Sequence, residues 1–194
     1  MCGRFFLADS DNSGELRSII DQLNRRGVTV KTGEIFPTDT VPVLANNRNR
    51  RIVPFPMQWG YTLPDGRLLI NARSETAGEK PLFQDAMRQH RCLIPAMNYF
   101  EWEKRGREKI KYAIRQADAG LLYMAGLYRV ENGRAVFTIL TREPAEQIRF
   151  IHDRMPVILT SNAKQDWLNL DCDAAQTLAQ ACENVVFCAV NVSC

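Results

Sequence analysis

Histidine is scarce in this chain, with two residues, His90 and His152, in 194. The six cysteines, Cys2, Cys92, Cys172, Cys182, Cys188 and Cys194, include no Cys-x-x-Cys pair. A zinc site therefore has little support, and no metal or other cofactor is expected. Cys182, Cys188 and Cys194 are evenly spaced, but three points make a weak pattern. In a reducing cytosol such residues are mostly small buried hydrophobes or free thiols. No apolar run has the length of a membrane span, and the first residues lack the basic-then-apolar order of a signal peptide. The chain reads as an intracellular, cytoplasmic protein with no membrane partner. Interdomain linkers, low-complexity tracts and internal repeats are missing too, so residues 1–194 are expected to form one domain. Charge of one sign is also lacking. A net charge of +3 permits a polyanionic partner without demanding one.

What is present begins at Cys2, directly behind Met1. Initiator methionine is normally trimmed when a small residue follows it. The mature chain would then carry a free α-amine and a thiol on one residue. An α-amine titrates at roughly 7.7–8.0 and a free thiol at roughly 8.5, so both hold a useful nucleophilic fraction near neutrality. The amine forms a Schiff base with an aldehyde, and the thiol then closes a thiazolidine ring. The rest of the opening is not tail-like. Gly3 permits close backbone approach, Arg4 can hold an anion, and Phe5-Phe6-Leu7 wants burial.

Further along, Asp11-Asn12-Ser13 ahead of Leu16, Ile19, Ile20 and Leu23 predicts a capped amphipathic helix ending at Gly27. From Ile35 to Ile70, short apolar runs alternate with prolines and Gly66, a strand-and-turn pattern. A short helix is predicted over Pro81–Arg88. Four strands follow, Arg91–Glu103, Lys109–Arg115, Leu121–Val130 and Arg134–Thr141. Their separators, Lys104-Arg105-Gly106, Asp118-Ala119-Gly120 and Glu131-Asn132-Gly133, are hairpin-like. Helices near Pro144–Ile151, Ser161–Asn169 and Asp173–Ala181 alternate with strands at Val157–Leu159 and Val185–Val190. Consecutive hairpins with peripheral helices argue for an α+β fold on an antiparallel or mixed sheet.

Four stretches are more polar than a strand context requires. Asn71-Ala72-Arg73-Ser74-Glu75-Thr76 puts an amide, a guanidinium and hydroxyls at the end of an apolar run. Tyr99-Phe100-Glu101-Trp102-Glu103 sets a carboxylate among aromatics, where desolvation raises its pKa toward that of a useful acid or base. His152-Asp153-Arg154-Met155-Pro156 places a histidine at a helix-to-strand junction, and Thr141-Arg142 closes a strand. Each stretch has a plainer alternative. Asn71 could cap a turn, Arg73 could be an ordinary surface residue, and His152 a satisfied polar one. Alternation puts Tyr99, Glu101 and Glu103 on one face, which a solvated surface would also explain. Spacing alone yields an inventory of cysteine, histidine and glutamate rather than a site.

The combination is more specific. Met1-Cys2-Gly3-Arg4-Phe5, Trp59-Gly60, Asn71-Ala72-Arg73-Ser74-Glu75-Thr76, Phe100-Glu101-Trp102 and His152-Asp153-Arg154-Met155-Pro156 occur in this order. In that order they resemble the SRAP family, the SOS response-associated peptidases, over essentially the whole chain. The resemblance implies a barrel-like, mostly antiparallel or mixed sheet core and a protein that bonds to abasic sites in single-stranded DNA. Lyase and self-reversal activities, a monomer, and association with the nucleoid when acting on DNA are implied with it. Carried over, Cys2 is the nucleophile once Met1 is lost, and Asn71 orients the terminus and the sugar. Glu101 is the acid/base, and His152 assists Schiff-base chemistry and reversal. Arg4, Pro37, Trp59, Arg73, Thr141 and Arg154 are the implied DNA contacts.

The sequence also departs from the family pattern. Tyr61–Arg67 lacks the further tryptophans that wedge against bases in many relatives, and Arg142 replaces the second of a usual Thr-Thr pair. The carboxyl end, Val190–Cys194, is short. Two rival readings stand beside this one. The first is a cysteine peptidase or amidohydrolase with Cys2 as N-terminal nucleophile, including autoproteolytic loss of Met1. The second is a non-covalent reader of damaged or modified DNA.

Overall fold

The computed structural model describes residues 2–9, 14–117, 120–180 and 186–193. Its first part runs β1 (Arg4–Leu7), α1 (Glu15–Asn24), β2 (Gly33–Ile35), β3 (Thr40–Asn46), β4 (Ile52–Trp59), β5 (Tyr61–Thr62), β6 (Leu68–Leu69) and β7 (Asn71–Arg73). The middle holds α2 (Pro81–Gln89), β8 (Arg91–Ala96), β9 (Asn98–Arg105), β10 (Glu108–Gln116), β11 (Leu122–Glu131) and β12 (Arg134–Arg142). A 3-10 turn (Glu146–Ile148) leads to β13 (Met155–Pro156), β14 (Ile158–Leu159), α3 (Ala163–Asn169), α4 (Cys172–Gln180) and β15 (Phe187–Asn191).

The β11–β12 hairpin shows how local chemistry starts the fold. Asn132 at φ 47° and Gly133 at φ 78° supply the two left-handed positions of a tight primed turn, and the strands pair outward from Glu131 opposite Arg134. Strand β12 then pairs in parallel with β4, and antiparallel pairings join β4 to β3, β3 to β8 and β8 to β11. That ring returns to β12 and closes a five-stranded barrel, which removes its sheet edges. Trp59 lies inside it, fully buried. Its ring is 5.2 Å from Phe5 and stacked 6.2 Å from Phe137, and its Nε1–H donates to the Ile70 carbonyl at 3.0 Å. A second sheet of order β15-β10-β9-β1-β2 lies against the barrel, with Phe5, Ile35, Tyr99 and Ile114 facing inward. Helix α1 buries Leu16, Ile19 and Leu23 on one face, as its spacing requires. No helix among the described residues is long and apolar enough to cross a membrane.

The α+β, barrel-like expectation holds, and four local expectations change. Arg91–Glu103 is two strands rather than one. The break at Met97, whose amide donates to the Phe6 carbonyl at 2.8 Å, sends β8 into the barrel and β9 into the second sheet. Strands β10 and β11 do not form a hairpin, because β10 pairs with β9 and β15 while β11 pairs within the barrel. The helix expected over Pro144–Ile151 shrinks to one 3-10 turn, anchored by buried Ile148 and Ile151. Helix α1 ends at Asn24, before Gly27, and starts after Gly14, which makes no side-chain cap. The predicted caps Asp11, Asn12 and Ser13 lie outside the described residues, as do Met1, Asp118, Ala119, Cys182, Val185 and Cys194.

Candidate active site

Strand β1 sits between β2 and β9, so its start delivers Cys2 and Gly3 to one end of the second sheet. Cys2 is fully buried, and its carbonyl accepts a hydrogen bond from Asn71 Nδ2 at 2.8 Å. Asn71 reaches it because β7 runs parallel to β12, with Asn71 opposite Ile139 and Arg73 opposite Thr141. The amide is 8% exposed, and its Oδ1 has no hydrogen-bond donor among the described residues. The Cys2 thiol donates weakly to the Arg4 carbonyl, at 3.6 Å. Burial pushes its pKa far up, the neighbouring Glu101 carboxylate adds to that, and the thiol is neutral at neutral pH.

Glu101 is 3% exposed. Burial raises its pKa, and His152 partly offsets that rise. The solvated-face alternative for this residue is overturned. Tyr99 and Glu101 point inward, and Tyr99 is close enough to Cys2 and Glu101 for both to shift its phenol. His152 is half-buried on the loop before β13. Its Nδ1 accepts from the Arg154 amide at 3.0 Å and also lies 2.6 Å from Asp153 Oδ1. These contacts ask opposite things of Nδ1. Asp153 is 85% exposed and solvent-screened, so the pairing with it is weak and the amide bond is the contact that orients the ring. An open pocket of about 560 Å³ is lined by Gly3, Arg4, Glu101, Trp102, Lys104, Lys109 and His152. Cys2 and Asn71, both buried, are not part of its wall.

The outer residues divide. Arg73 is exposed, and Pro37 is half-buried in the turn before Thr38, which has φ 79°. Arg4 is partly exposed and pairs with Glu34 at 3.2 Å. Arg154 makes two 2.8 Å bonds to the Glu75 carboxylate and one of 2.6 Å to the Thr141 carbonyl. Two expected DNA contacts need correction. Trp59 is enclosed in the barrel and presents no ring to a base. Thr141 is equally buried, with Oγ1 bonded to the Ala72 carbonyl, so its route to a ligand runs through Arg154. Sequence reasoning gave no role to Glu75, Tyr99, Lys104 or Lys109. Residues 75 and 154 are too far apart in the chain for spacing to signal their pairing. Lys104 and Lys109 flank the Gly106 turn opposite each other, which alternation around that hairpin does imply. Among the described residues, no group of three His, Cys, Asp or Glu side chains is placed to hold a metal ion.

Comparison with known proteins adds the decisive observation. The family model for SOS response associated peptidase (SRAP) matches residues 1–193. The chain belongs to the SRAP family. Among its relatives is the abasic site processing protein YoqW of Bacillus subtilis (strain 168), 35% identical, with 93% of this chain and 87% of that protein aligned. The abasic site processing protein YedK of Escherichia coli (strain K12) is 29% identical, with 94% and 87% aligned. A solved structure from Bacteroides thetaiotaomicron superimposes with a TM-score of 0.80 at 22% identity, covering 99% of this chain and 92% of that one. Another, from Bordetella bronchiseptica, gives 0.75 at 21%, covering 98% and 100%. At such identities these two share the SRAP fold and carry nothing further.

Proposed function

We propose that this SRAP protein processes abasic sites in single-stranded DNA by bonding covalently to them through Cys2 after Met1 is removed. It acts inside the cell as a monomer in the response to DNA damage, with associated lyase and self-reversal activity. The observation that supports this most is the convergence of Cys2, Asn71, Glu101 and His152 at the start of β1. The named relatives process abasic sites, which supplies the substrate class.

The α-amine of Cys2 adds to the C1′ aldehyde of the ring-opened sugar, and water leaves as the imine forms. The thiol then adds to the carbon of the protonated imine, its proton passes to the Glu101 carboxylate, and a thiazolidine closes with no other product. A neutral thiol and a titratable amine make the amine the leading nucleophile. Glu101, whose burial favours the protonated form, donates to the departing hydroxyl and then receives the thiol proton. Asn71 holds the Cys2 carbonyl and turns Oδ1 toward the amine or the sugar. His152 acts on the Schiff base during strand cleavage and reversal. Arg4 and Arg73 take phosphates beside the lesion, with Pro37 at the path's edge. Arg154 exchanges Glu75 for a phosphate.

The test is incubation with an oligonucleotide carrying one abasic site, followed by a denaturing gel. A shifted band that survives denaturation is expected from protein that has lost Met1. Full yield from protein retaining Met1 would overturn the amine mechanism. Peptide cleavage without any DNA adduct would favour the peptidase reading instead.

A further inference from the structure

Strand registers put Arg4, Glu34, Trp102, Lys104, Lys109 and Lys111 on the outer face of the second sheet, opposite the buried one. Along that face, cations and aromatic rings alternate. Lys31 lies 5.3 Å from the Phe36 ring, and Arg4 sits between Phe36 at 4.5 Å and Trp102 at 5.2 Å. Lys111 comes next, 5.8 Å from Trp102 and 4.1 Å from Phe100. Phe36 is 38% exposed and Trp102 half-buried. One carboxylate stands among these charges. Glu34 Oε1 takes Arg4 Nη1 at 3.2 Å and Lys111 Nζ at 2.8 Å on the same oxygen. Arg4 and Trp102 also line the pocket that holds Glu101 and His152, so this face continues from the site around the start of β1.

We infer that this face is the track for unpaired DNA flanking the lesion, and that Glu34 occupies the place of a backbone phosphate between Arg4 and Lys111. The inference rests on the abasic-site reading and goes beyond it by naming the path and its gate. The chemistry favours single strands. Bases stack on rings, phosphates pair with intervening cations, and a duplex hides its base faces. An oxygen shared by a guanidinium and an ammonium has the donor set a phosphate oxygen takes. The ladder also supplies ring surface that the short Tyr61–Arg67 segment, without tryptophan, does not.

The experiment measures binding of a fluorescently labelled, lesion-free oligothymidylate by anisotropy over a salt series, with inorganic polyphosphate as a second ligand. Glu34→Gln removes the competing charge and should tighten oligonucleotide binding about threefold or more, with a steeper salt slope. Lys111→Gln should weaken it by a similar factor and flatten the slope by about 0.7. Trp102→Ala should weaken the oligonucleotide about tenfold and leave polyphosphate unchanged. A folded Glu34→Gln variant, checked by its melting temperature, that binds no tighter than the parent overturns the gate. Equal losses for both ligands in Trp102→Ala overturn the track. If Glu34→Gln fails to fold, unchanged binding by Lys111→Gln overturns both. Cross-linking of the unaltered protein to an abasic oligonucleotide is scored separately, so the parent reading can fail or stand independently.

Discussion

Burial holds the Cys2 thiol in its neutral form, and in the proposed mechanism that leaves the α-amine to act first. Cys2→Ala keeps the α-amine and loses the sulfur. It should give a borohydride-trappable adduct with abasic DNA and no stable cross-link without reductant. The check is a denaturing-gel time course with and without borohydride. A reductant-independent product equal to the parent's would move the nucleophile elsewhere. Glu101→Gln should slow both products, since it preserves shape and removes the titrating proton. At this scale the sequence was half legible. Residue types and chain order pointed to Cys2, Asn71, Glu101 and His152, but not to the inward orientation of Glu101. Alternation says which side chains share a face, and only tertiary packing decides which face is covered. Trp59 failed for the same reason, since its neighbours in sequence carry no sign that a barrel closes around it.

Elements bring these residues together, and the join between β7 and the His152 loop depends on Glu75 and Arg154. The hydrogen bonds from Arg154 are the main reason the Glu75 carboxyl lies below its ordinary pKa. A depressed carboxylate contributes stability above its unfolded pKa and loses it as pH falls through the folded one. The parent should therefore be more stable than Glu75→Gln at about pH 7, and the gap should close toward about pH 3. Urea melts of both proteins at the two pH values provide the comparison, and a gap that widens on acidification rejects the brace. Element existence was well legible where local signals act alone, as in the Asn132-Gly133 hairpin and α2. It failed at Met97 and after β10, because both stretches look continuous locally while their partners belong to different sheets. The Pro144–Ile151 helix failed since two buried anchors suffice for a single turn and no longer amphipathic stripe supports it.

For the molecule as a whole, the closed barrel is the frame that carries β7 and with it Asn71, and its interior leaves no spare volume beside β11 at Gly126. Gly126 lies between Cys92 of β8 and Ile139 of β12, so both neighbouring strands are fixed by ring closure. A Cβ there would stand 2.4 Å from Ile94 Cδ1, 2.9 Å from the Thr138 carbonyl oxygen and 3.1 Å from Cys92 Sγ. The isoleucine tip can rotate away. The Thr138 oxygen belongs to a paired strand and cannot yield without stretching the ladder. Replacing glycine by alanine stiffens the unfolded chain, a gain of about 0.4–1 kcal/mol. Overpacking a fixed interior costs about 1–3 kcal/mol and should win. Gly126→Ala should therefore unfold at lower urea and melt several degrees below the parent, by about 2–4 °C for each kcal/mol at this chain length. Gly120 is the matched control, since it is exposed and a methyl group added there would meet nothing within 4 Å. Gly120→Ala should keep the parent's stability or exceed it slightly. Equal melting of both variants would mean that the barrel yields at β11, and the rigid closure that fixes Asn71 through β12 would have to be given up.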